Sequence, residues 1–247
     1  MVGDASGRRV VLLGLAVSLG FAGSATAGVT MFFGEDLNPT GSGPILVPGS
    51  NSEAAQNSFL AQLVGVGTED FESFSDGTSA PLTLTFPGTS GSITATLMGD
   101  GHVDEVALGQ TSGAGRFPTS GTKYWSTNST LGDFDITFSE SVSAFGFYGT
   151  DIGDFSGQIT LQLVNGITQD LIVPSTINAP NASMLYLGLI SDTPFTMVRF
   201  GNTSSVDRFG FDDMTIAGQA QVIPAPAAAM LAMIGLPMIA WVNRRLR

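Results

Sequence analysis

Across the middle of this chain the apolar residues fall on every second position, a period that admits antiparallel strands and little else. Leu82, Leu84 and Phe86 alternate with threonine, Ile93, Ala95 and Leu97 with Thr and Met, and Ile159, Leu161 and Leu163 with Thr and Gln, while Ile136 and Phe138 flank Thr137. Successive side chains on a strand point to opposite faces, so each run buries one face and wets the other. Further strands are expected at 143–148, 169–173, 184–189, 195–200 and 209–216, each bounded by Gly, Pro, Asn or Asp. About nine strands with short polar connections and no alternating helices predict a mainly β fold, an antiparallel two-sheet sandwich with jelly-roll wiring. Phe134, Phe138, Phe145, Phe147, Phe155, Phe195, Phe200, Phe209 and Phe211 are its expected core. The lack of a fixed-period repeat excludes a solenoid or propeller.

One helix is expected ahead of the strands. Ser50, Asn51, Ser52 and Glu53 fit a capping box, and Ala55, Phe59 and Leu63 recur every four residues, which predicts a helix over 52–64 packed on a sheet. The chain has no cysteine. Disulfides, thiolate metal sites and cysteine nucleophiles are thereby excluded.

Both ends carry targeting patterns. Arg8 and Arg9 precede an apolar run over 10–21, and Ala25-Thr26-Ala27 is an A-x-A site that places a cut before Gly28. That is the pattern of a secretory signal peptide, apolar helix included. At the other end, residues 227–242 carry no charge and are followed by Arg244, Arg245 and Arg247. As a helix this run is about 24 Å long, a little short of a hydrocarbon core of about 30 Å. The arginines stay cytoplasmic by the positive-inside rule, which puts everything before Pro224 outside. The expected organisation is a signal peptide over 1–27, a β-sandwich over 28–221 and a tail with a transmembrane helix over 222–247. Between the cuts, four basic side chains face twenty acidic ones, a net charge of about −16. A nucleic-acid partner is excluded, since that binding rests on clustered Lys and Arg. Cations and neutral glycans are left.

A leader, an exported body and a tail of Pro-x-Pro, apolar helix and Arg cluster together resemble the PEP-CTERM proteins of Gram-negative bacteria. The resemblance implies that an exosortase-type membrane protease recognises Pro224, Ala225, Pro226 and the arginines. The precursor would be anchored transiently in the inner membrane, then released or transferred to the cell surface or extracellular matrix. The usual Pro-Glu-Pro reads Pro224-Ala225-Pro226 here, without the central carboxylate. A plain tail anchor that is never cut is the alternative. The central region, through FFGEDLN, GTEDFESF, GRFPTSG, SAFGFYGTDIGDF and DRFGFDDMTI, also resembles a domain of exported PEP-CTERM proteins, which supports the sandwich more than any activity.

Three groups of residues are candidates for chemistry. Tyr124 and Trp125, with Lys123, could stack on a sugar ring and orient it, or Trp125 could fill the core. The DRFGFDDMTI strand resembles jelly-roll carbohydrate-binding modules, where first and last strands often meet and share a structural calcium. That resemblance makes Glu35, Asp36, Asp212 and Asp213 candidate calcium ligands, calcium requiring six to eight oxygens. Neighbours on a regular strand point apart, so one of Asp212 and Asp213 would ligate and the other face solvent. Asp151 and Asp154 form a loop that could hold a second cation or a ligand, although turn chemistry explains it equally. Catalysis finds little support: His102 is the sole histidine, with no G-x-S-x-G elbow or HExxH helix. The expected function is non-catalytic binding of an envelope glycan or exopolysaccharide, the alternative a purely structural surface or matrix protein.

Overall fold

The computed structural model describes residues 28–224. The leader with Ala25 and Ala27, and the tail with Ala225, Pro226, its apolar run and Arg244, Arg245 and Arg247, lie outside the described residues.

The chain order is β1 (Val29–Asp36), α1 (Asn51–Leu60), β2 (Thr68–Glu69), β3 (Leu82–Gly88), β4 (Gly91–Gly99), β5 (His102–Glu105), β6 (Lys123–Asn128), β7 (Phe134–Thr150), β8 (Ile159–Asn165), β9 (Ile167–Ile172), β10 (Met184–Asn202) and β11 (Arg208–Ala217). All pairings are antiparallel. Two strands organise the rest. β7 and β10 are 17 and 19 residues long, and their register breaks between Ile190 and Met197. Each therefore bends and serves two layers. The first layer runs β1, β10, β7, β11, β6, β5; the second runs β3, β4, β7, β10, β8, β9. This sharing of two strands, rather than the jelly-roll wiring of independent sheets, joins the layers.

The layers face each other across aromatic rings. Phe147 and Phe211 of the first meet Phe200 and Phe134 of the second, with ring centroids 5.5 Å apart in both the Phe147–Phe200 and Phe134–Phe211 pairs. All nine phenylalanines expected in the core are buried. The first layer is covered on its other side too, where Phe59 of α1 enters a second apolar cluster with Tyr148, Tyr186 and Met184. Gly146 and Gly188 are cross-strand partners that make room for that ring. A Cβ on Gly188 would stand 2.6 Å from the Phe59 ring, and one on Gly146 2.7 Å. Burial on both faces is why 144–150 and 184–189 read as near-continuous apolar runs instead of alternating ones.

The helix is shorter than the spacing predicts, ending at Leu60. Ser50 caps it, its hydroxyl accepting from Glu53 N at 3.0 Å, and the Glu53 carboxylate accepts from Gly49 N at 2.6 Å rather than from Ser50. The body also continues past Gln221: Ile223 N donates to Gln62 O at 2.7 Å, and Val64 N to Gln221 O at 2.9 Å.

Candidate functional site

Trp125 is not a sugar platform. Residues 123–128 form a strand held between β5 and β11, with Trp125 opposite Val103 on one side and Phe211 on the other. Its indole is fully buried, lies over the Phe71 ring at 6.2 Å, and is roofed by Gly101, where any Cβ would collide with it. Tyr124 faces the other way and is equally buried, its hydroxyl donating to Asp104 at 2.7 Å. Lys123 spends its ammonium on the carbonyls of Phe74, at 2.7 Å, and Glu72, at 3.2 Å. Both faces of this strand are covered, so its sequence shows no alternation and imitates a polar loop. Among the described residues no Phe, Tyr or Trp is exposed, Phe32, Phe33 and Phe74 being half-buried.

The expected calcium site is not assembled either, because the first and last strands do not meet. β1 pairs with β10, and β10 and β7 separate it from β11 by three inter-strand steps, about 14 Å. Glu35 accepts from Thr176 N at 2.8 Å and from its hydroxyl at 2.6 Å. Asp36 takes the orphan N–H groups of Asn51 and Ser52, both at 2.9 Å, and thereby ties α1 to β1. Among the described residues no group of three or more Asp, Glu or His side chains is placed to hold a metal ion.

Asp212 and Asp213 do something the regular strand rule forbids. β11 bulges between Asp212 and Thr215, and Asp213 adopts a left-handed φ of 48°. Both carboxylates consequently reach the loop at Thr119 and Ser120. Asp212 accepts from Thr119 N at 2.7 Å and Asp213 N at 2.8 Å, and Asp213 accepts from the Ser120 hydroxyl at 2.8 Å. The Thr119 hydroxyl lies 2.9 Å from an oxygen of each acid. Its single hydrogen is directed between the two acids and ties both to the loop. Burial raises both acids, and their mutual repulsion raises Asp212 further, against the pull of the N–H and hydroxyl groups they accept from. Next to this anchor, Ile45, Leu46, Val47, Leu108 and Pro118 line a groove of about 270 Å³ with Leu46 and Leu108 exposed.

The Asp151 loop has a similar character. Asp151 sits at φ 57°, buried, with its carboxylate accepting from Ala182 N at 2.8 Å. Burial pushes it up to about 7, against the pull of that N–H and of Arg116, while Asp154 pushes the same way as burial. Asp207 joins them by accepting from Gly153 N, 54 residues before it in sequence, at 2.9 Å, and burial and Asp154 raise it as well. Asp154 itself is exposed. These acids fasten chain crossings, and no sequence spacing announces that Asp207 belongs with them. His102 stands opposite Ser126 on β5, and among the described residues no hydrogen bond joins its imidazole to a hydroxyl or carboxylate.

No protein-family model matches this chain, and no curated protein matches it. Among solved structures it is similar to the K2 cleaved adhesin domain of Lys-gingipain, at 16% identity over 61% of this chain and 97% of that one, with a TM-score of 0.38. A likeness of that degree says nothing about what this chain binds. The description the molecule itself supports is a mainly β, antiparallel sandwich with one short helix.

Proposed function

We propose that this protein is an exported, non-catalytic structural component of the cell surface or extracellular matrix, delivered by its leader and its Pro224-Ala225-Pro226 tail. An exosortase-type membrane protease is the partner of the tail. The observation that carries the choice of a structural over a lectin-like role is the burial of Trp125 and Tyr124, together with the absence of any exposed aromatic among the described residues. Sugar recognition relies on apolar C–H faces stacking on exposed rings, and among the described residues the body presents only the half-buried edges of Phe32, Phe33 and Phe74. The buried acids are engaged by backbone N–H groups and hydroxyls, which suits crosslinking of loops better than proton transfer to a substrate.

Intact-mass analysis of the protein from cell-surface and culture fractions tests this reading. A species starting at Gly28 and lacking the arginine cluster, found outside the inner membrane, is expected. Full-length tail retained in the inner membrane would replace sorting by simple anchoring. Release of reducing sugars from the organism's own exopolysaccharide would overturn the non-catalytic reading.

A further inference from the structure

The acidic charge of this body is unevenly placed along the strands. Gln221 donates from its amide to Gly65 O at 2.8 Å and to Pro87 O at 3.1 Å, which gathers three segments at one end: the loop after α1, the β3–β4 hairpin tip and the stretch after β11. Strand direction puts the β8–β9 tip at the same end, since Val164 pairs with Met197 and Met197 with Thr137, next to Phe138. At that end residues 61–68, 84–95, 164–169, 193–198 and 214–224 contain no charged side chain. The body has twenty acidic residues, so that is a marked gap. Glu69, Glu140 and Asp192 border it; Glu69 turns back to accept from Phe71 N, and Asp192 lies against Gly28. The opposite end holds Asp100, Asp133, Asp151, Asp154 and Asp207.

Large apolar side chains stand exposed at the uncharged end: Ile167 at 83%, Val64 at 58% and Ile223 at 45%. A groove of about 310 Å³ opens there between the β8–β9 tip and Pro194. Both routes out of the body leave from this end, because Val29 pairs with Ser191, Ile190 with Ala144 and Ala144 with Ala217. Ile223 is bonded to Gln62, and the apolar run of the tail begins only four residues later at Ala227. Four extended residues span at most about 14 Å. The polar layer of one leaflet is itself about 6 Å thick.

We propose that the uncharged end is a membrane-facing surface, on which the precursor's sandwich rests against the phospholipid headgroups through Val64, Ile167 and Ile223, with its acidic end pointing away. This rests on the reading of the tail as a membrane segment. The arrangement keeps the far-end acids, about 30 Å along β11, well beyond a Debye length of about 10 Å from the phosphate-bearing surface, and leaves only Glu140 and Asp192 at its rim.

The absence of cysteine makes the test direct. Residues 28–247, carrying V64C, I167C or S205C singly with a fluorophore, are reconstituted into phosphatidylethanolamine–phosphatidylglycerol vesicles containing headgroup-nitroxide lipid. Quenching several-fold stronger at 64 and 167 than at 205, which lies at the acidic end, is expected. Trp241 in the tail supplies an internal reference with acyl-chain nitroxide lipid, since Trp125 is buried in the body. Equal quenching at all three labels with Trp241 quenched overturns the docked orientation while leaving the tail in the bilayer. An unquenched Trp241 overturns the tail reading and the surface with it.

Discussion

Replacing Asp151 by Asn should flatten the pH dependence of stability, and the sign follows from where the proton sits. In the folded body Asp151 is pushed up to about 7 from an ordinary 3.8, mainly by burial. Between those values the native state holds a proton that the unfolded chain has released. The stability this proton confers is complete below about pH 4 and is lost as pH rises through about 7. Three pKa units correspond to a ceiling of about 4 kcal/mol. Solvent reaching the loop beside exposed Asp154 screens this, so about 2 kcal/mol is the expected loss. Asp207 and the Asp212–Asp213 pair titrate in the same direction, so the informative quantity is the difference between wild type and variant. Asn retains the oxygen that accepts from Ala182 N, and residues 28–224 contain both apolar clusters, so the variant should fold. Urea titrations from pH 5 to 8, which leave out the first pH unit of that interval, should show wild type losing about 1 kcal/mol more than Asp151→Asn. Parallel curves would refute the reasoning.

Other substitutions probe the remaining contacts. Trp125→Ala should cost about 3 to 5 kcal/mol in the same urea assay, as a buried indole leaves a cavity; a loss under 1 kcal/mol would contradict its burial. Gly188→Ala should destabilise by about 1 to 3 kcal/mol through collision with Phe59, and pairing it with Phe59→Leu should recover part of that. Asp36→Ala removes the acceptor for the first N–H groups of α1 and should cost about 1 kcal/mol, seen as a lower melting temperature. Asp213→Asn removes one of two adjacent buried carboxylates while keeping an oxygen for Thr119 or Ser120, and should leave stability at pH 8 equal or higher, whereas Asp212→Ala strips three N–H groups of their acceptor and should lower it.

The sequence reveals strands where one face is wet. β3, β4 and β8 alternate cleanly because only one of their faces is covered, and their boundaries lie close to those expected. β6 escapes notice for the opposite reason: with neighbours on both edges and cover on both faces, KYWSTN has no wet face to mark it. The two sequence readings of Trp125, sugar platform and core residue, are separated only by that cover, which decides for the core. Asp212 and Asp213 were expected to point apart, and they converge because the left-handed backbone at Asp213 reverses the alternation locally. Asp207 meets Gly153 only through the closed sandwich, a long-range contact that no local spacing encodes. Phe59 was legible as part of a helical stripe, but its socket, Gly146 against Gly188, depends on the β7–β10 register.

The proposed structural role requires that the body lack a saccharide platform, and direct binding tests that most simply. Residues 28–224, checked for folding, should be titrated against the source organism's own exopolysaccharide by calorimetry, with and without millimolar calcium. No saturable binding in either condition is the predicted result. Saturable binding, in particular binding abolished by substituting exposed side chains while Trp125→Phe leaves it intact, would contradict the structural role and place a glycan site elsewhere on the surface.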